Sequence, residues 1–185
     1  MQLLMISHAA TKEMRSGRFP ADDLLDERAV AATQAWRQHL LLPAQAAVFV
    51  SPAACTRASA ELLGLNAQIA PLLAEIDHGR WRGERLADIA AAEPEALAAW
   101  IRDPDMASHG GESFSAALKR VGAWLDGLNR NANVIVISHA SIMRAAIIHA
   151  LDVAPTTFSH IEIAPLSVVQ LRRSARGWIW LPGQA

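Results

Sequence analysis

MQLLMISHAAT, Met1 to Thr11, carries an apolar run into a histidine, His8, and then breaks off into small residues. On its own, this is a strand closed by a polar side chain. Far downstream NANVIVISHASIMRAAIIHALD, Asn131 to Asp152, repeats the arrangement, so that Ile-Ser-His-Ala stands at Ile6–Ala9 and again at Ile137–Ala140. Gln2–Ile6 and Val134–Ile137 have strand length and apolar residues on both faces, the pattern of buried parallel strands. Parallel strands of one sheet end in a common crevice, where open α/β sheets bind ligands. His8 and His139 are therefore expected in one pocket.

Working outward, Val48–Val50 reads as a further strand ending at Ser51 and Pro52. Leu25–Leu41 has apolar residues at helical spacing before Pro43 stops it. Thr56–Leu63 reads as a helix closed by Gly64, Ala70–Gly83 as irregular, and Leu86–Ile101 as one or two helices interrupted near Pro94. Ser113–Leu128 and Ser141–Leu151 are further helices. FSHIEIAPLSVVQLRR, from Phe158, and GWIWL, from Gly177, alternate with a period near two and predict antiparallel strands. The whole is expected to be an α/β fold, a three-layer α/β/α sandwich on a mostly parallel mixed sheet, with residues 1–185 as one domain.

Composition narrows the function. With 185 residues the chain can bury a substantial core, and a formal net charge of −1 supplies no basic field for nucleic acid or an anionic membrane. Cys55 is the lone cysteine, so no intramolecular disulfide can form, and the apolar start is too short for a signal core. A cytoplasmic location is expected, and any anion site must be local. Trp36, Trp100 and Trp124 read as packing residues, His78 and His109 as surface or loop histidines, and Arg144 as an anchor for its helix or a nearby carboxylate.

SHAAT at Ser7–Thr11, SPAACTRASAELLGL at Ser51–Leu65, EIDHGRWRG at Glu75–Gly83, GGES at Gly110–Ser113 and SHASIMRA at Ser138–Ala145 follow one another in an order that resembles the histidine phosphatase superfamily, the phosphoglycerate mutase-like group. The resemblance covers nearly the whole chain. It implies that His8 attacks phosphorus to form a phosphohistidine, that His139 donates to the phosphoryl oxygens, and that Glu75 protonates the leaving oxygen. Thr11 matches a frequent threonine of the family. The short chain favours a phosphatase over a mutase, with a small phosphorylated molecule or another anion as partner and no cofactor or resident metal.

The departures fall at the centre of this pattern. Two arginines of the family clamp the phosphoryl group, and here Ser7 and Cys55 occupy their positions. Arg57 stands two residues beyond Cys55, about 200° around a helix, and is the candidate for a displaced clamp, so that substrate binding would fall to Ser7, Thr11 and Arg57. The competing reading is a degenerate active site, in an impaired or inactive relative that acts as a ligand-binding or interaction module. Cys55 also puts a thiol beside His8, His139 and Glu75, a donor set that zinc accepts.

Overall fold

The computed structural model describes residues 1–43 and 45–181; of the expected 1–185 domain, residues 44 and 182–185 lie outside the described residues. Strand β1 (Gln2–Ser7) pairs in parallel with β4 (Asn133–Ser138), in register Ser7 to Ser138, and β4 pairs in parallel with β2 (Ala46–Val50). A two-residue strand, β3 (Gln68–Ile69), extends this parallel side. On the other side β1 pairs antiparallel with β5 (Val168–Ser174), and β5 with β6 (Gly177–Leu181). The order of the six-stranded sheet is β3-β2-β4-β1-β5-β6, the mostly parallel mixed sheet that the sequence predicts.

Strand periodicity explains the two layers. Leu3 and Met5 of β1, with Val134 and Val136 of β4, face α6 (Phe114–Asp126) and α7 (Ala140–Leu151), where Ala117, Val121, Leu125, Ile147 and Ile148 complete one core. Leu4 and Ile6, with Ile135 and Ile137, face the opposite way. They meet Ala60 of α3 (Ala54–Leu62), Leu63 at its C-cap and, from α2 (Glu27–Arg37), Trp36. Burial of apolar surface on both faces contributes about 25 cal/mol per Å², and it fixes β1 and β4 at the centre.

A smaller apolar cluster joins Phe19, Trp81, Ile89, Leu97 and Trp100. It joins the stretch after a short helix, α1 (Lys12–Arg15), to α4 (Leu86–Ala92) and α5 (Pro94–Arg102). Pro94 begins α5, where a missing N–H costs nothing.

Several boundaries differ from the expectation for reasons of packing and capping. Helix α2 starts at Glu27, because the Asp26 side chain accepts from the Ala29 amide, and it ends at Arg37, well before Pro43. Helix α3 begins at Ala54, whose amide donates to Asp22 Oδ1 at 2.7 Å, so its cap comes from a distant loop. Gly64 closes it at φ +75°, as expected. Phe158–Ala164 is not a strand. Pro155–His160 is a 3-10 turn, Phe158 stacks on Phe114 at 4.8 Å, and the Ile161 carbonyl accepts from Arg144. The alternation there records packing on one side and no ladder. His78 and His109, expected at the surface, are buried against Phe19, Trp81 and Trp100.

Candidate active site

The two parallel ladders run on past their strands and place both histidines. The His8 amide donates to the Ser138 carbonyl at 3.0 Å, and the Ser51 amide to the Ile137 carbonyl at 3.0 Å. His8 and His139 then stand side by side, ring centroids 5.0 Å apart and planes at 67°. Both are buried, and both line a cavity of about 600 Å³ together with Thr11, Cys55 and Glu75.

Hydrogen bonds set which nitrogen of each ring faces the cavity, and for His8 they also set the tautomer. Nδ1 of His8 lies 2.8 Å from the carbonyl of Ala9, an arrangement that makes it the protonated nitrogen and leaves Nε2 with a lone pair. Nε2 of His139 lies 2.8 Å from Ser51 Oγ, so that Nδ1 is the nitrogen available to the cavity. That Nδ1 is 3.4 Å from Glu75 Oε2. Burial, then the neighbouring His139, lowers the pKa of His8 to about 4, while burial, then Arg120, lowers that of His139 to about 3. Both rings are neutral at neutral pH.

Glu75 is held from two sides. Its Oε1 accepts from the Ile76 amide at 2.8 Å and from the Ser141 hydroxyl, which turns Oε2 toward His139. The segment that carries it is clamped by Arg120 of α6, which donates to the carbonyls of Leu72 at 2.6 Å and Ala74 at 2.8 Å and pairs with Glu112. Glu112 in turn gives its amide to the Asp77 carbonyl at 2.7 Å. The GGES turn is thus a brace for the Glu75 loop. Sequence reading missed Arg120, since nothing local marks a helix arginine that bonds carbonyls 46 and 48 residues away.

The substrate-binding candidates separate. Thr11 lines the cavity and caps α1 by accepting from the Met14 amide. Ser7 is buried outside it: its hydroxyl donates to the Ala164 carbonyl and accepts from the Ser167 amide at 3.3 Å. Arg57 is exposed on α3 and is not among the cavity-lining residues, whereas Cys55, on the first turn of the same helix, is. The structure does not bring Arg57 to the place of a clamp. Burial, then the charge of Glu75, pushes the Cys55 thiol up to about 12.

The charged lining is acidic. Asp22, Asp23, Glu75 and Asp77 face the cavity against Arg18 and Arg82, both exposed. The charges acting on His8 are those of His139 and Glu75, with no guanidinium among them. One nitrogen of His8, one of His139 and Cys55 Sγ lie within 4.8 Å of one another.

A strand-end histidine pair with a carboxylate beside it, on this sheet order, defines a phosphoglycerate mutase-like α/β protein. Residues 3–181 match the model of the histidine phosphatase superfamily, branch 1, and the chain belongs to that superfamily. Among solved structures it resembles mycobacterial glucosyl-3-phosphoglycerate phosphatase in complex with VO3, with 24% identity, a TM-score of 0.85, and coverage of 97% of this chain and 96% of that one. Among curated proteins it is 28% identical to phosphoserine phosphatase 1 of Hydrogenobacter thermophilus over 78% of this chain and 74% of that protein. A bifunctional protein of Mycobacterium tuberculosis is 32% identical over 60% of this chain. The match spans 32% of that relative's length, about a third.

Proposed function

We propose that this chain, taken as one histidine phosphatase-like domain, is a catalytically impaired member of its superfamily that binds a ligand in the His8–His139 cavity. The observation that carries the reading is a cavity whose lining beside His8 holds a buried thiol and four carboxylates against two exposed arginines. A phosphoryl group in flight spreads negative charge over its equatorial oxygens, and one well-placed arginine is worth about 10³- to 10⁵-fold in rate. Neither Ser7, whose hydroxyl is spent on Ala164 and Ser167, nor the neutral Cys55 thiol replaces that charge. The free, buried thiol also suits a reducing cytoplasm, and no helix among the described residues is long and apolar enough to cross a membrane.

A second reading, slow hydrolysis of a small phosphomonoester, draws on the His8 tautomer. Nε2 bears the lone pair and would attack phosphorus as the bond to the leaving oxygen breaks. Glu75 would give that oxygen its proton, and water would then displace the histidine from phosphorus. Release of phosphate from a panel of small phosphomonoesters that includes phosphoserine and glucosyl-3-phosphoglycerate decides between the two, with the Hydrogenobacter phosphatase assayed alongside. The impaired reading expects turnover at least about 10³-fold lower and unchanged in His8→Ala. Turnover within tenfold of that enzyme and abolished by His8→Ala rejects it.

A further inference from the structure

We infer that His8, Cys55 and His139 form a binding site for a soft divalent cation, zinc in particular, with its fourth position open to the cavity beside Glu75. This names the ligand class of the proposed binding site and rests on the reading that the cavity no longer handles phosphoryl groups.

The donors come from separate segments that the fold brings together: the end of β1, the first turn of α3 and the end of β4. Their ligand atoms lie within 4.8 Å of one another. A tetrahedral zinc ion with bonds of about 2.0–2.1 Å to nitrogen and about 2.3 Å to sulfur needs its donors roughly 3.3–3.6 Å apart. The approach required is at most about 1.5 Å, shared among three side chains.

Orientation agrees with this assignment. The Ala9 carbonyl takes the proton of His8 Nδ1 and leaves Nε2 its lone pair, and with Ser51 Oγ accepting from Nε2, Nδ1 of His139 presents one as well. Ligand histidines are normally fixed in this way by a hydrogen bond from the other nitrogen, which sets the tautomer and raises basicity. No proton has to leave either neutral ring. The thiol would give up its proton on coordination, becoming the thiolate that zinc takes.

Charge agrees as well. Glu75 Oε2 stands 3.4 Å from Nδ1 of His139, and Asp22, Asp23 and Asp77 also line the cavity. A dication relieves their mutual repulsion where an anion would increase it. Two imidazoles and a thiolate select zinc, or cobalt as its probe, over magnesium and calcium, which prefer all-oxygen sites. Three protein ligands with an open fourth position is the form that zinc adopts where a further molecule is to bind.

The test uses the full-length chain, prepared without an affinity tag and stripped with EDTA. Titration with cobalt should give a near-ultraviolet thiolate-to-metal band together with the visible bands of a tetrahedral ion, saturating at one equivalent per chain. Zinc should displace the cobalt. Cys55→Ser should abolish the thiolate band, and His8→Ala should weaken zinc by at least about 100-fold, in variants shown to be folded by circular dichroism. X-ray absorption of the wild-type zinc complex should show one sulfur neighbour, a readout that needs no variant. Absence of that sulfur shell, or zinc binding unchanged in His8→Ala, overturns the inference. Metal-free protein that takes up no cobalt and also lacks His8-dependent turnover overturns the cation site and leaves the binding-module reading standing. His8-dependent phosphate release by stripped protein overturns both.

Discussion

Cys55→Arg should move two affinities in opposite directions. Cys55 lies on the cavity wall with its sulfur near His8 and His139, and the cavity of about 600 Å³ has room for a longer side chain. A guanidinium there can give charged hydrogen bonds to a phosphate oxygen, each contributing about 1.5–3 kcal/mol. Glu75 and the cavity aspartates would compete for the same group, at a cost of up to about 1 kcal/mol for pairs that are partly exposed. The net gain expected is about 1–2 kcal/mol, or about 5- to 30-fold tighter phosphate or vanadate, measured by calorimetric titration of the folded variant. The same substitution removes the sulfur donor, so the cobalt thiolate band should vanish. Phosphate affinity that is unchanged or weaker would refute the placement of Cys55 in front of the anion position. Arg57 could not rescue that result, since it projects from the other side of the same helix turn.

Three further outcomes follow from the geometry. Arg57→Ala should leave ligand affinity unchanged and shift stability by no more than about 0.5 kcal/mol, read from denaturant midpoints. Arg120→Ala should cost about 2–3 kcal/mol by orphaning Glu112 and the carbonyls of Leu72 and Ala74, and should weaken zinc by releasing the Glu75 loop; a melting temperature equal to wild type would contradict the clamp. The folded metal-free protein resists protonation of His8 and His139 down to about pH 4 and about pH 3, whereas the unfolded chain protonates them below 6.5. The unfolded state then binds more protons, so stability is full above pH 6.5 and is lost as pH falls toward 4; urea midpoints independent of pH across that window would contradict neutral burial of the pair.

The central strands were legible because β1 and β4 are apolar on both faces, and the repeated Ser-His-Ala marks where each ends. His8, His139 and Glu75 could be named for the same reason: their neighbours along the chain carry the pattern. What escaped depends on partners distant in sequence. The start of α3 is set by Asp22, which bonds the Ala54 amide from 32 residues away. The burial of His78 and His109 comes from Phe19, Trp81 and Trp100, which only the fold assembles. Strand β3 has two residues and no periodicity to detect. The alternation after Phe158 is real, but alternation states only that one side of a segment is buried, and here the burying surface is made by helices α5, α6 and α7.

Ser7 and Cys55, the two positions on which the proposed reading turns, are each accommodated locally by the fold. Ser7 is satisfied by Ala164 and Ser167, a contact that ties the end of β1 to the turn before β5. Cys55 packs as a small apolar side chain. Glu75 is the residue left out of balance. Its Oε1 is anchored by Ile76 and Ser141, so it cannot swing away, and its Oε2 stands 3.4 Å from Nδ1 of His139. A fixed carboxylate, two imidazoles and a thiol stand together in a pocket whose lining carries more carboxylates than arginines. On the proposed reading, the excess of carboxylates beside these donors favours a cation in the pocket over an anion.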